Sequence, residues 1–302
     1  MPEQTYHCGY VAIVGRPNVG KSTLLNHILG MKLSITSRKP QTTRHQILGV
    51  KTSPQSQAIY VDTPGIHRRR GSSAINRYMN RAATSVLPDV DVVLFVIQAG
   101  SWQEEDQDVL DRLKEVVSVP VILVINKIDQ LSQQDDLLKF IQKVAAKFDF
   151  EAVIPTSALK NQGIEQIEKS VAAKLPENPA FFPEDQMTDR STRFLVAEII
   201  REKLVRELGQ ELPYTSTVLI EKYVDEEALT RIHAVIHVEN KGQKAIIIGR
   251  KGERLKSIGT SARKSIEILI GNKVYLNLWV KISEGWSNDE RALRSLGYDA
   301  DF

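Results

Sequence analysis

The chain has 302 residues, enough for two domains at roughly 100–200 residues each. Hydrophobic residues at 42% and charged residues at 25% match globular proteins and exclude disorder throughout, and a single cysteine, Cys8, excludes an internal disulfide or a multi-cysteine metal cluster. The net charge of +3, from 40 basic and 37 acidic residues, names no partner by itself.

Strands are expected at 9–14, 57–62, 92–97, 119–125 and 152–156, alternating with helices at 21–29, 74–87, 104–116, 135–148 and 163–175. Apolar strands alternating with amphipathic helices imply an α/β unit with a mostly parallel sheet covered on both faces. Three prolines, Pro176, Pro179 and Pro183, then mark an extended linker. The expected division is 1–175, a linker at 176–190, and a second unit at 191–302. That second, α+β unit reads helix (192–208), strand (216–223), strand (230–238), helix (243–248), a break, helix (to 270) and strand (273–282). A short helical stretch at 288–296 follows. The apolar runs are far shorter than a membrane span, and the start, Met1-Pro2-Glu3-Gln4, lacks a signal pattern. A cytoplasmic protein is expected, with peripheral membrane contact left open.

Gly15-Arg16-Pro17-Asn18-Val19-Gly20-Lys21-Ser22 follows the first strand, opens the first helix and fits the phosphate-binding pattern G-x-x-x-x-G-K-S, with Thr23 next to it. Its glycines let backbone N–H groups turn toward phosphate oxygens at a helix N-terminus. Lys21 would reach the β- and γ-phosphates, and the Ser22 hydroxyl would ligate Mg²⁺. Asp62-Thr63-Pro64-Gly65 ends the next apolar strand, 41 residues beyond Lys21. Asp62 can hold a water of the Mg²⁺ shell, and the Gly65 N–H can sense a γ-phosphate.

Asn126-Lys127-Ile128-Asp129 follows a third apolar strand. An Asp129 carboxylate accepts from guanine N1–H and the exocyclic amine, whereas adenine lacks that amine and would leave the carboxylate unpaired. Lys127 can lie on the base plane, and Asn126 can tie neighbouring loops. Thr156-Ser157-Ala158 can supply a backbone N–H to guanine O6. A GTP-binding site with Mg²⁺, able to release GDP and phosphate, is the reading.

In the second half, Gly249-Arg250-Lys251-Gly252 separates two apolar helical segments. The glycines would let single-stranded RNA approach the backbone, with Arg250 and Lys251 meeting phosphates and Lys244 and Lys256 flanking them. Ile246-Ile247-Ile248 is expected to form an apolar wall for bases, Ile248 nearest the loop. Residues 241–273 hold nine basic and two acidic residues, within a region 183–302 that balances 19 against 19. A concentrated patch on a neutral unit suggests a phosphate-binding face. Trp286 reads either as a base-stacking residue or as part of a core.

Residues 9–175 resemble a translation-factor-type small GTPase domain. The element order and G-x-x-G loop of the second half resemble a type II KH domain. Together, to about Asp299, they resemble the Era family of bacterial GTPases. The resemblance implies that Arg38 to Arg44 is switch I, with Thr43 or Thr42 closing on Mg²⁺. It implies that switch II follows Asp62–Ile66, through the basic stretch His67-Arg68-Arg69-Arg70-Gly71. Lys21, Thr43, Asp62 and Gly65 would then carry hydrolysis. Ile66 stands where signalling GTPases have a water-orienting glutamine, so unassisted hydrolysis would be slow, ~10⁻⁴–10⁻³ s⁻¹. Asn18 resembles an asparagine through which some relatives bind K⁺. The family further implies a monomer that binds single-stranded 16S rRNA near its 3′ end and acts in assembly of the 30S subunit. Two rivals remain open on the residues alone. One is a regulatory GTPase working through a protein or membrane partner, with RNA secondary. The other is an RNA-binding module whose nucleotide is never turned over.

Overall fold

The computed structural model describes residues 5–37, 42–65, 73–131, 133–208 and 215–298. Six strands form one sheet: β1 (His7–Val14), β2 (Ile47–Thr52), β3 (Ser56–Asp62), β4 (Val92–Gln98), β5 (Val121–Asn126) and β6 (Ala152–Thr156). Their spatial order is β2-β3-β1-β4-β5-β6, and only β2 runs antiparallel to its neighbour. The helices α1 (Lys21–Leu29), α2 (Ala74–Thr84), α3 (Glu104–Val116), α4 (Gln134–Ala145) and α5 (Ile164–Ala172) connect the strands. Two apolar clusters cover the two faces. Leu24, Ile28 and Ile167 pack over one, and Val109, Leu113 and Val144 over the other. Both faces of β4 are buried, so it reads as a continuous apolar run.

Strand β2 is absent from the expectations above. It is a sheet edge, and residues Gly49, Lys51 and Thr52 break its apolar pattern. The proline-rich stretch is also not a free tether. The Gln57 side chain accepts from the amides of Phe181 and Phe182 and donates to the Phe182 carbonyl. Met187 and Thr188 then bond the backbone of β2. The prolines suppress regular structure, but the strip still satisfies the open edge of the sheet.

The second sheet contains β7 (Ser216–Glu226), β8 (Leu229–Val238) and β9 (Val274–Ile282), with β7 antiparallel and β9 parallel to the central β8. Helices α6 (Thr192–Glu207), α7 (Lys241–Ile248) and α8 (Glu253–Ile270) cover one face. Ile232, Ala234, Ile236 and Val238 are fully buried there, as their alternation requires. A short helix, α9 (Glu290–Ser295), returns to α2. There Trp286, Leu293 and Tyr298 form an apolar cluster with Ile75, Tyr78 and Met79. Trp286 is 2% exposed, so it belongs to this core and cannot stack a base. Among the described residues no helix is long and apolar enough to cross a membrane.

Candidate functional site

One cavity of about 1000 Å³ lies at the carboxyl ends of β1, β3, β5 and β6. It is lined by Pro17, Asn18, Gly20, Lys21, Ser22, Thr23, Thr42, Thr43, Gly65, Asn126, Lys127, Asp129 and Ala158. Gly15, Arg16, Val19, Asp62, Thr63, Pro64, Ile128 and Ser157 stand behind this lining. Ile66, the 38–41 part of switch I, the 67–71 stretch and Asp299 lie outside the described residues.

The loop between β1 and α1 is fixed from several sides. Arg16 Nε donates to Asp106 Oδ2 at 3.0 Å, and that carboxylate also accepts the Gln103 amide at the start of α3. Gly20 has φ +106°, and a Cβ there would stand 2.3 Å from Asn126 Nδ2, so only glycine fits. The Lys21 ammonium donates to the carbonyls of Gly15 and Arg16 at 2.9 and 3.2 Å. Burial pushes Lys21 down to about 8, against the pull of Asp62. An anionic ligand would raise it again and hold the ammonium charged, which is what a phosphate site needs.

Ser22 Oγ lies 2.8 Å from Thr43 Oγ1 and 2.7 Å from Asp62 Oδ2. Asp62 is fully buried, burial raises its pKa, and its Oδ1 has no hydrogen-bond partner among the described residues. Two hydroxyls and a carboxylate with an unsatisfied oxygen make a hard-oxygen donor set that fits Mg²⁺. Of the two threonines, Thr43 is the one whose hydroxyl joins this cluster. Asn18 lines the cavity at φ +64°.

At the other end, Asn126 ties three segments. Its Nδ2 donates to the Val19 carbonyl at 2.8 Å, and its Oδ1 accepts the Ala158 amide at 2.9 Å. Of the Thr156-Ser157-Ala158 segment expected to offer a backbone N–H to guanine O6, the Ala158 amide is thus engaged with Asn126 in this structure. The Ser157 hydroxyl donates to Asp129 Oδ1 at 2.5 Å and orients the carboxylate. Lys127 has φ +65° and donates to Gln98 Oε1, laying its stem along the cavity.

Sequence reasoning missed Ile35, Thr36, Ser37, Gln130, Leu159 and Arg206, all of which line the cavity. Arg206 is the least expected, because it belongs to α6 in the other half. Helix α6 is buried on two sides: Ile200 and Leu204 face its own core, while Glu198, Arg201 and Glu202 are buried toward the first half. Arg201 pairs with Glu198 at 2.7 Å and donates to the Thr42 carbonyl. Arg44 donates to the Ser216 carbonyl at 2.8 Å and the Tyr298 hydroxyl at 3.1 Å. His45 stacks on Tyr298 with centroids 4.5 Å apart, and burial lowers its pKa to about 3, so the ring is neutral. The Thr42–His45 stretch, at the end of the expected switch I, is thus clasped by the second half.

The second candidate surface is the α7–α8 junction. Asn240 caps α7 by accepting the Gln243 amide, and Arg254 donates to the Ile246 carbonyl at the helix end. Gly249 has φ +73°, and a Cβ there would meet Arg254 Cβ at 2.8 Å. Arg250, Lys251 and Lys256 are exposed and Lys244 is half-buried around this turn, with Gly252 opening α8. The expected isoleucine wall needs correction. Ile247 is fully buried in the core, because a helix sends consecutive side chains about 100° apart. Ile246, at 44% exposure, and the half-buried Ile248 are what the surface offers.

A family described as "50S ribosome-binding GTPase" matches residues 10–127, and the KH domain family matches residues 211–287. GTPase Era of Pseudomonas aeruginosa (strain LESB58) is 59% identical over 291 residues, covering 96% of this chain and 95% of that one. GTPase Era of Azotobacter vinelandii is 57% identical over 296 residues, 98% of each chain. A crystal structure of Era with MgGDPNP and nucleotides 1506–1542 of 16S ribosomal RNA superposes with a TM-score of 0.93 at 40% identity, over 97% of this chain and 99% of that one. A single-substitution variant of Aquifex aeolicus Era bound to GDP and AlF4⁻ gives 0.92 at 40% identity, with the same coverage.

Proposed function

Since this chain belongs to the Era family of GTPases, we propose that it couples GTP hydrolysis to the holding of single-stranded 16S rRNA near its 3′ end. It acts, on this reading, as a monomer in the cytoplasm during assembly of the 30S subunit, with any membrane contact peripheral. The carrying observation is that one cavity joins the Lys21–Ser22–Thr43–Asp62 cluster to the Asn126–Asp129 pair. Phosphate chemistry and guanine selection therefore share one ligand. The solved relative holding both MgGDPNP and 16S rRNA lends the RNA half of the reading its support. The division at 1–175, 176–190 and 191–302 is supported by a core on each of the two sheets, which meet at Leu195 and Leu269.

The mechanism follows from the side chains. Asp129, oriented by Ser157, accepts from the guanine edge and leaves adenine unmatched. Lys21 moves its ammonium from the loop carbonyls to the phosphates, whose charge raises its pKa again. Ser22, Thr43 and Asp62 hold Mg²⁺, which neutralises charge developing on the phosphate oxygens. Gly65, packed against Pro17, brings its N–H to the γ-phosphate side of the cavity. At position 66 an isoleucine offers no group to orient water, so acceleration must come from a partner. Arg201, gripping the Thr42 carbonyl from the second half, and Arg44, reaching the Ser216 carbonyl and the Tyr298 hydroxyl there, give RNA binding a path to the threonine.

The test is GTP hydrolysis by the full chain at fixed salt, with and without a short RNA copying the 3′ end of 16S rRNA. Stimulation by that RNA and none by a scrambled one is the expected result. Equal rates, despite tight binding of both ligands, would refute the coupling.

A further inference from the structure

The RNA-binding half places one of its own cations in the nucleotide cavity. Arg206, in the last turn of α6, lines the same space as Lys21, Ser22 and Asp129. Its position is built. Nη2 pairs with Glu202 at 2.8 Å and donates to the Thr36 carbonyl at 3.1 Å, and Nε lies 3.3 Å from that carbonyl. The Glu202 side chain is fully buried and also receives Lys32 and the Thr36 amide. That anchor fixes the guanidinium against the wall formed by residues 35–37. Nη1 has no hydrogen-bond partner among the described residues, and the side chain is 48% exposed.

The cavity has a base end at Asn126 and Asp129 and a phosphate end at Lys21, Ser22 and Gly65. Thr36 belongs to the stretch that leads from the end of α1 to Thr43. Asn26, on α1, holds the start of that stretch by accepting the amides of Leu33 and Ser34. Arg206 therefore lines the cavity on the wall that carries Thr36. A guanidinium with a free donor edge, held by a buried carboxylate, suits a phosphate oxygen.

We propose that Arg206 is a nucleotide-binding residue of this GTPase, donating through Nη1 to the phosphate chain of bound guanine nucleotide. The proposal rests on the guanine-nucleotide reading of the cavity. It gives the RNA-binding half a direct contact with the nucleotide, separate from the grip on Thr42.

Calorimetric titration of the full chain with GDP, and competition by guanosine, test it. If the unmodified chain fails to bind GDP, the reading of the cavity itself falls. If it binds, Arg206→Ala should weaken GDP by about five- to twentyfold and leave guanosine unchanged. Arg206→Lys, which keeps the charge without the fork, should recover part of the loss. An unchanged GDP affinity in Arg206→Ala overturns the proposal. So does an equal loss for GDP and guanosine, which would reduce Arg206 to a support for Thr36. Matching thermal unfolding of the variants checks that each is folded.

Discussion

Two glycine loops open helices in this molecule, and they are presented to a ligand in opposite ways. The Gly15–Ser22 loop is enclosed: its lysine is buried, its arginine is paired with Asp106, and Asn126 closes on Gly20. The Gly249–Gly252 loop is open, with Arg250 and Lys251 exposed beside it. Enclosure removes water and fixes donors, so one ligand of one shape is bound strongly. Openness leaves the cations hydrated and lets a long polyanion bind through many weak, salt-sensitive contacts. A nucleotide switch needs the first arrangement and an RNA clamp the second.

The largest expected effect comes from emptying the enclosed loop of its charge. Lys21→Ala should cut GTP turnover by about 10²–10³-fold, read as phosphate release, while RNA affinity stays within about twofold. Loss of both activities in a folded variant would break the separation of the two loops. Next, Gly249→Asp with Gly252→Asp should weaken single-stranded RNA by about 10–100-fold and leave GDP binding intact. Gel-shift and calorimetric titrations read the two effects.

The enclosed loop also predicts a pH dependence that the open one should lack. Lys21 is held down to about 8 in the empty site, so nucleotide binding takes up a proton above that pH. GDP affinity should be flat below about pH 8 and fall by about tenfold per unit above it, until the raised pKa of the bound state is reached. Affinity that stays flat to about pH 9.5 would show that Lys21 is already protonated there. In the unliganded protein the same depressed pKa costs stability below pH 8, and the cost is relieved as pH rises from 8 toward the unfolded value near 10.5. Smallest is Lys251→Ala. It should weaken every RNA sequence by a similar few-fold and lower the salt slope by about one.

The enclosed site is largely legible in the sequence because its parts are short, contiguous motifs. Gly15–Ser22, Asp62–Gly65 and Asn126–Asp129 each follow an apolar strand, and parallel strands bring their carboxyl ends to one edge. The G-x-x-G loop is legible for the same reason. Less is visible where a residue's role depends on something far away in the chain. Trp286 suits a base and a core equally until α2 is placed beneath it. Ile247 reads as a wall until its helical phase turns it inward. The apolar pattern of β2 is too weak to reveal an edge strand, and the proline strip that covers it reads as a tether.

By itself the sequence determined the strand–loop–helix motifs, the Asn126–Asp129 motif at the end of β5, and the basic turn at 249–252. These are local, because a backbone turn, a cap or a charge density is set by neighbours within a few residues. Only the tertiary structure decided that Glu198, Arg201 and Glu202 turn from their own core toward the first half. It also decided that Arg44 reaches Tyr298 across 254 positions, and that Arg206 enters the nucleotide cavity. A charged helix face reads the same in sequence whether water or a buried carbonyl receives it. Packing alone chooses between them, because burial requires each of those charges to find a partner.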